Sequence, residues 1–218
     1  RIATNACLDT LGRRRRVLPH QLAAPNDPDA PPPDAALDGV FGDETPQRAF
    51  FAATLEPLMP LVTQGYSVQA VCYGAAGAGK THTALGRFVL TNGATAGLLL
   101  NAVDRLMQLL SDTPLTTLRV SAVAFDAEHA RDALDTSDFF VEVKTSERGA
   151  PGAGGLSFCG ASESAVTGET RETVFARISA AAEEGGPAGR AFLVTVMRVD
   201  AQTQQLVTGR LLVVDLPG

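Results

Sequence analysis

A glycine-rich loop that ends in a lysine and a threonine is the part of this sequence best suited to hold a phosphate group. Residues 74–81 read GAAGAGKT and fit the pattern G-x-x-x-x-G-K-[ST]. In such a loop the glycines let backbone amides curl around phosphate oxygens, the lysine neutralises the β- and γ-phosphates, and the hydroxyl reaches Mg²⁺. The pattern predicts that Lys80 and Thr81 hold nucleotide phosphates. The alternative is a flexible loop in a chain with 21 glycines.

An aspartate near the end of the sequence could supply the second half of such a site. Residues 210–218 read RLLVVDLPG, in which four apolar residues precede Asp215. This pattern indicates a buried strand whose carboxylate emerges at the edge of the sheet, where a P-loop protein needs an acid to hold the water shell of Mg²⁺. Gly218 suits a backbone that senses the γ-phosphate. Alone, an aspartate at a strand end is usually a turn residue, but together with the loop it predicts one shared site.

Strands and helices flank both motifs in an order that would bring them together. A short apolar run at 68–73 predicts a buried strand leading into the loop, and residues 81–85 can open a helix behind it. The other predicted elements are a helix after Thr45 that Pro57 and Pro60 interrupt, a helix at 98–110, a strand at 118–125, a short helix or turn at 128–134, a strand at 139–143, a helix at 171–182, and strands at 191–199 and 206–215 joined by a polar turn. Strands that alternate with helices indicate an α/β layered fold.

Length and composition predict a globular protein with one large domain. The 218 residues are enough to bury a core, and a net charge of −6 argues against a surface that grips nucleic acid or anionic lipid. No run approaches the roughly 18 apolar residues of a membrane span, so we expect neither nucleic acid nor membrane as a partner. Three scattered cysteines fit a reducing compartment and predict a cytoplasmic location.

The first 36 residues differ in character from the rest. They contain four consecutive arginines at 13–16 and a stretch rich in proline and aspartate at 25–34, which predicts an irregular N-terminal segment at 1–36. The arginine run is a candidate nuclear signal or acidic-partner contact, with a solvated loop as the alternative. Residues 37–218 are predicted to form the domain. Because the chain starts without Met and stops directly after DLPG, we expect a fragment of a longer protein.

The residues around the loop resemble the kinesin motor domain family. Residues 73–83 read YGAAGAGKTHT, and the KTHT preceded by YG is far more specific than the P-loop pattern alone. Upstream, GVFGDETPQRAFF at 39–51 resembles the family's run into its first helix. Downstream, GLLL at 97–100 and LRVSAVAFDAEHARDAL at 118–134 resemble the segments that follow the family's P-loop, and DLPG at 215–218 stands where the family has DLAG, its second switch.

This resemblance implies a three-layer P-loop NTPase fold, in which a central mixed, mostly parallel sheet is flanked by helices. It implies that ATP is bound by Gly74, Ala75, Ala76, Gly77, Ala78, Gly79, Lys80 and Thr81, with His82 against the adenine. Mg²⁺ would be held by Thr81 and, through water, by Asp215, and the catalytic residues would be Lys80, Asp215 and Gly218.

The resemblance further implies hydrolysis coupled to movement along microtubules, and thus a cytoskeletal location in the cytoplasm. Lys144 and Arg148 lie in a hairpin-like region that resembles a secondary tubulin contact of the family, with ordinary solvated turn charges as the alternative. The sequence makes no prediction about the oligomeric state, the direction of movement or the cargo.

Two departures from the family bear on activity. The family's Asn-x-x-Ser-Ser-Arg-Ser-His switch, which positions the metal and the attacking water, is replaced at 184–190 by EGGPAGR. Since phosphoryl transfer depends on positioning and electrostatics, this loss predicts impaired hydrolysis with retained ATP binding. The family's N-terminal Arg-x-Arg-Pro strand has no clear match in residues 1–24.

Three functional hypotheses follow from these observations. The first is a kinesin-like ATPase motor domain, and the second is a non-motile relative that binds nucleotide or serves as an interaction module. The third is a GTPase, because VDLPG at 214–218 also resembles a strand end of dynamin-like GTPases. The third is weakened by the KTHT sequence, since those GTPases favour Gly-Lys-Ser.

Overall fold

The protein, described here from a computed structural model, combines one large sheet with helices that pack against it. The structure describes residues 5–10, 39–42, 44–86, 96–126, 128–135, 140–146, 155–184 and 189–217. The strands are β1 Asn5–Thr10, β2 Ser67–Tyr73, β3 Thr116–Phe125, β4 Ala130–Asp132, β5 Glu142–Ser146, β6 Gly155–Cys159, β7 Ser164–Ala165, β8 Gly189–Val199 and β9 Leu206–Asp215. The helices are α1 Gln47–Thr54, α2 Met59–Thr63, α3 Lys80–Ala84, α4 Leu98–Leu110 and α5 Arg171–Glu184, with a 3₁₀ turn at Glu56–Leu58 between α1 and α2.

The main sheet has the strand order β1-β2-β9-β8-β3-β4, with β7 on the edge of β3. Among the strands that the structure describes, β2 and β9 are parallel and the other neighbours are antiparallel. The predicted mixed sheet is therefore confirmed, but the expectation that it is mostly parallel is wrong for these strands. The reason is the length of the connections: the short turn at 200–205 permits only an antiparallel pair of β8 and β9, whereas the long crossover from β2 to β9 permits a parallel one.

The helices of the described ranges lie on one face of this sheet. Buried side chains of all five helices join sheet residues such as Ala70, Val194 and Val213 in the larger of two apolar cores. The opposite face carries Leu193 and Leu212 and is covered by apolar residues of the β5–β6 hairpin and its flanks. The α/β class is thus confirmed. The three-layer expectation placed helices on both faces of the sheet, but the described residues form helices on one face.

Two predicted elements differ from those found. The first helix after Thr45 is divided into α1, the 3₁₀ turn and α2, as its two prolines indicated. The segment at 128–134, predicted as a short helix or turn, instead forms β4 against β3. There the carboxylate of Asp126 accepts hydrogen bonds from the backbone amides of Glu128 and His129, at 2.8 Å each, which closes a tight turn and returns the chain along β3.

The N-terminal segment contains a strand that its composition did not predict. Residues 5–10 form β1, which pairs antiparallel with β2 so that Asn5 lies opposite Tyr73. The expectation of irregular structure at 1–36 is therefore wrong for these six residues. Residues 1–4 and 11–36 lie outside the part of the chain that the structure describes.

Candidate functional site

The glycine loop joins the end of β2 to the start of α3, as the sequence predicted. Gly74, Gly77 and Gly79 have φ values of 144°, 78° and 81°, a region that residues with a β-carbon rarely adopt. The loop from Gly74 to Gly77 is exposed, so its backbone is open to a ligand. Glycine at these positions is thus what allows the chain to turn directly from the strand into the helix.

Lys80 folds back over the loop that precedes it. Its residue surface is only 8% exposed, and its ammonium group donates hydrogen bonds to the backbone carbonyls of Gly74 at 3.0 Å and Ala75 at 2.9 Å. A buried lysine needs such partners, because an unpaired charge would be strongly disfavoured away from water. The positive charge predicted to meet phosphate therefore lies beneath the loop, held by the loop's own carbonyls.

Thr81 and Asp215 are in direct contact, although they are 134 positions apart in sequence. The Thr81 hydroxyl donates to Oδ2 of Asp215 at 2.6 Å. The contact arises because β2 and β9 are parallel neighbours, with Cys72 opposite Asp215, so the loop that leaves β2 and the end of β9 meet at the same edge of the sheet. The structure thus brings together the two motifs that the sequence singled out.

The donor atoms at this contact are of the kind that Mg²⁺ prefers. Asp215 is 3% exposed, and its Oδ1 has no hydrogen-bond partner among the described residues. A buried carboxylate oxygen without a partner is costly, so it favours a cation or a metal-bound water beside it. Together with the Thr81 hydroxyl it fits the predicted metal role of both residues. Among the described residues no group of three or more His, Cys, Asp or Glu is arranged to hold a metal ion independently of a nucleotide.

Sequence reasoning missed a buried arginine beside this carboxylate. Arg190 lies on β8 directly opposite Asp215, it is 6% exposed, and its Nη1 is 3.8 Å from Oδ2 of Asp215. The hairpin could have revealed it, because a turn at 200–205 sets a register in which position 190 faces position 215. The site therefore contains a third charge in addition to Lys80 and Asp215.

His82 is held by a residue that sequence reasoning also left out. Nε2 of Gln47, at the start of α1, lies 2.8 Å from Nδ1 of His82 and donates to the backbone carbonyl of the same residue at 2.9 Å. His82 is exposed on α3, next to the glycine loop. This contact ties α1 to the loop and fixes the position of the ring that was predicted to lie against an adenine.

Other predicted residues lie elsewhere or outside the described ranges. Gly218 is outside the part of the chain that the structure describes, and so are Arg148 and residues 185–188 of the replaced switch. Lys144, the remaining candidate for a tubulin contact, lies on the exposed β5–β6 hairpin and forms an ion pair with Glu142 at 2.9 Å.

A buried thiol adjoins the site from β2. Burial and, to a smaller extent, the negative charge of Asp215 together raise the pKa of Cys72 to about 12. The thiol is therefore protonated in the native protein, even above the value of 9.0 at which a free cysteine ionises. Because the thiolate is the reactive form, the structure gives Cys72 the properties of an apolar core residue.

We expect iodoacetamide to modify the exposed Cys159 in the native protein and to leave Cys72 unmodified. Raising the pH to about 9 should not change this result, because the pKa of the buried thiol is about 12. Peptide mass spectrometry after timed labelling measures both rates, and labelling in urea serves as the control in which both cysteines react. Equal rates for the two residues in the native protein would contradict the buried position of Cys72.

The helices of the described residues do not reach across a lipid bilayer. None of them is both long enough and apolar enough to span a membrane.

Comparison with known proteins finds relatives over most of the chain. Residues 19–218 match the kinesin motor domain family, a match that begins inside the segment 1–36. A kinesin heavy chain from Botryotinia fuckeliana is 27% identical over 189 residues, which is 84% of this chain and 21% of that protein. Kinesin-like protein 6 from Schizosaccharomyces pombe is 48% identical over 52 residues, which is 24% of this chain and 7% of that protein.

The fold is shared with a solved structure described as that of a fast kinesin. The two have a TM-score of 0.67 at 23% sequence identity, over 83% of this chain and 54% of that chain. The chain thus spans about half of that structure, and 21% and 7% of the two relatives named above. Since the family match covers nearly all of the sequence, this chain belongs to the kinesin motor domain family.

Proposed function

We propose that this domain binds ATP with Mg²⁺ at the glycine loop and is part of a microtubule motor protein or of a relative of one. The observation that carries the proposal is the contact between Thr81 and Asp215, which joins the loop to the end of β9 at 2.6 Å. An isolated P-loop pattern can be accidental, but a loop whose lysine and threonine lie beside an acid at one edge of a sheet supports a phosphate site much more strongly.

Each residue has a defined part in this proposal. On nucleotide binding, the Lys80 ammonium gives up its hydrogen bonds to the carbonyls of Gly74 and Ala75 and donates to phosphate oxygens instead. The loop, no longer bound to the lysine, turns its backbone amides toward the same phosphates. Thr81 and Asp215 would hold Mg²⁺, and His82, positioned by Gln47, would lie against the base. When bound, the metal ion supplies charge neutralisation between the β- and γ-phosphates.

Hydrolysis is proposed to be slow. The replaced switch at 184–190 has no serine or histidine, and its described residues, Glu184, Gly189 and Arg190, are of types that offer neither a hydroxyl nor an imidazole for an attacking water. Gly189 also packs closely, because a β-carbon there would lie 2.6 Å from the ring of Phe125 and 2.8 Å from Pro217. A longer side chain therefore has no room at this position without a shift of the neighbouring residues.

The missing serines favour a second candidate function, a nucleotide-binding module that does not move along microtubules. In either case the family implies a microtubule as the partner and the cytoskeleton as the location, and Lys144 on the exposed hairpin is the described residue proposed to contact tubulin. A GTPase remains the least favoured possibility, because the KTHT sequence follows the kinesin pattern.

Competition binding tests the nucleotide proposal directly. We expect ATP to displace a fluorescent ATP analogue from the purified chain, and GTP to require a higher concentration for the same displacement. Failure of ATP to compete would contradict the proposed ATP binding, and a preference for GTP would favour the hypothesis of a GTPase.

Turnover in the same preparation tests the motor proposal. We expect fewer than about 0.01 ATP molecules hydrolysed per second, with or without polymerised microtubules, because unpositioned phosphoryl transfer is slow. Co-sedimentation with microtubules separates loss of hydrolysis from loss of binding to the filament. Rapid turnover stimulated by microtubules would show that an active motor remains despite the replaced switch.

A further inference from the structure

We propose that Arg190 is a phosphate-directed cation built into the site, which takes over part of the charge neutralisation that Mg²⁺ supplies, so that nucleotide affinity depends little on the metal. The inference rests on the proposed nucleotide-binding function and concerns how that same site recognises phosphate. It is carried by the position of one side chain that neither the P-loop pattern nor the second motif includes.

The position of Arg190 places its charge where the metal would act. Its Nη1 is 3.8 Å from Oδ2 of Asp215, the same oxygen that accepts the hydrogen bond from Thr81 at 2.6 Å. The guanidinium group and the Thr81 hydroxyl therefore both approach the same carboxylate oxygen of Asp215. Because Arg190 is fixed on β8 opposite Asp215, this charge belongs to the sheet and is not part of the exposed loop.

The surroundings of Arg190 strengthen the electrostatic interaction of its charge with a bound phosphate. Arg190 and Asp215 are both more than nine-tenths buried. On the neighbouring strands, Cys72 of β2 lies opposite Asp215, and Ala124 of β3 lies opposite Arg190. Neither the cysteine nor the alanine carries a formal charge that would compete with a phosphate. Low polarity and exclusion of water strengthen the interaction of a charge such as that of Arg190 with a phosphate.

The same position weakens the site for a divalent cation. A guanidinium group beside a carboxylate neutralises part of the charge that would attract Mg²⁺, and it repels the metal ion directly. A guanidinium is also suited to phosphate, because its planar set of N–H donors matches two phosphate oxygens at once. Part of the positive charge that the phosphates need is thus supplied by a fixed arginine, and less of it has to come from Mg²⁺.

A buried ion pair with no further role would be an inefficient way to stabilise the sheet. Removing two charges from water is expensive, and apolar residues of similar size usually stabilise a core as well or better. The neighbouring pair Phe192 and Val213, one step further along the same two strands, shows that apolar residues fill this face elsewhere. The charged pair lies instead at the strand ends, where the phosphate site begins.

Nucleotide affinity in the presence and absence of metal tests the inference. We expect the wild-type chain to bind a fluorescent ATP analogue with affinities in Mg²⁺ and in EDTA that differ by less than about threefold, because the fixed guanidinium supplies the needed charge. In Arg190→Met, which keeps an unbranched chain of similar length without charge, affinity in EDTA should fall by about tenfold or more, and Mg²⁺ should restore much of it.

Two further variants keep the result interpretable. Arg198→Met removes an arginine from the other end of β8, where its guanidinium donates to the backbone carbonyl of Thr63, and should leave the metal dependence unchanged. Arg190→Lys retains a charge and should retain binding in EDTA, with thermal unfolding of each variant as the control for folding. Isothermal titration of Mg²⁺ into the ATP-loaded protein gives a second readout, with weaker metal binding expected in the wild type than in Arg190→Met.

The outcomes separate this inference from the proposed function. A wild-type chain that binds in Mg²⁺ but loses about 100-fold or more of its affinity in EDTA would overturn the role of Arg190 and leave nucleotide binding intact. Metal-independent binding that persists in Arg190→Met would also overturn it, because the charge would then come from elsewhere. A chain that binds no nucleotide under either condition would remove the proposed function and this inference together.

Discussion

Replacing Lys80 with alanine should lower the affinity for ATP about 100-fold, which corresponds to about 3 kcal/mol. The lysine is the buried cation of the glycine loop, and its ammonium is within hydrogen-bond distance of the carbonyls of Gly74 and Ala75. A charge-assisted hydrogen bond to phosphate contributes about 1.5–3 kcal/mol, and the ammonium can make more than one. Equilibrium titration with a fluorescent ATP analogue, in Mg²⁺ and at fixed ionic strength, measures the change.

The chain offers a matched control for this substitution, because it contains only two lysines, Lys80 and Lys144. Lys144→Ala removes an exposed side chain on the β5–β6 hairpin that is paired with Glu142, and it should leave ATP affinity unchanged. Equal losses of affinity in both variants would show that general electrostatics, and not the loop contact, determines binding.

Replacing Phe51 with alanine should lower the free energy of unfolding by about 4 kcal/mol, the usual cost when a buried aromatic ring is removed. Phe51 is fully buried on α1, in the larger apolar core beneath the sheet. The lost ring leaves a cavity in this core, and partial relaxation of the neighbours recovers only part of the lost contacts. Since α1 also carries Gln47, whose side chain contacts His82, the variant should lose ATP affinity as well as stability.

Urea denaturation followed by circular dichroism measures this loss, and Phe140→Ala serves as the control. Phe140 is 63% exposed, so its replacement should change the free energy of unfolding by less than about 1 kcal/mol. A change below about 1 kcal/mol in Phe51→Ala would contradict the position of α1 against the sheet.

The local patterns of the sequence predict a large part of this structure. The strand before the loop, the helix at α4 and the β8–β9 hairpin were all indicated by apolar periodicity and turn residues, which depend on neighbours in the chain. The meeting of Thr81 with Asp215 was also expected, because a parallel sheet brings the ends of its strands together.

What the sequence did not predict depends on pairings between distant segments. β1 and β4 are short strands whose formation is decided by the open edges of β2 and β3, and their own residues give a weak signal. Gln47 contacts His82 because the fold brings the start of α1 close to α3, which no local pattern encodes. From the sequence, Arg190 was interpreted only as the end of a replaced switch. The register of the β8–β9 hairpin places it opposite Asp215.

The position of β9 between β2 and β8 has a consequence for how the domain is made. The loop and helix that carry Thr81 leave the ribosome early, but their partner Asp215 follows 134 residues later. Contacts between such distant positions form slowly, because a long stretch of chain must be ordered first. The phosphate site therefore forms only once β9 has joined the sheet, and a nucleotide that binds this site stabilises the domain after that step.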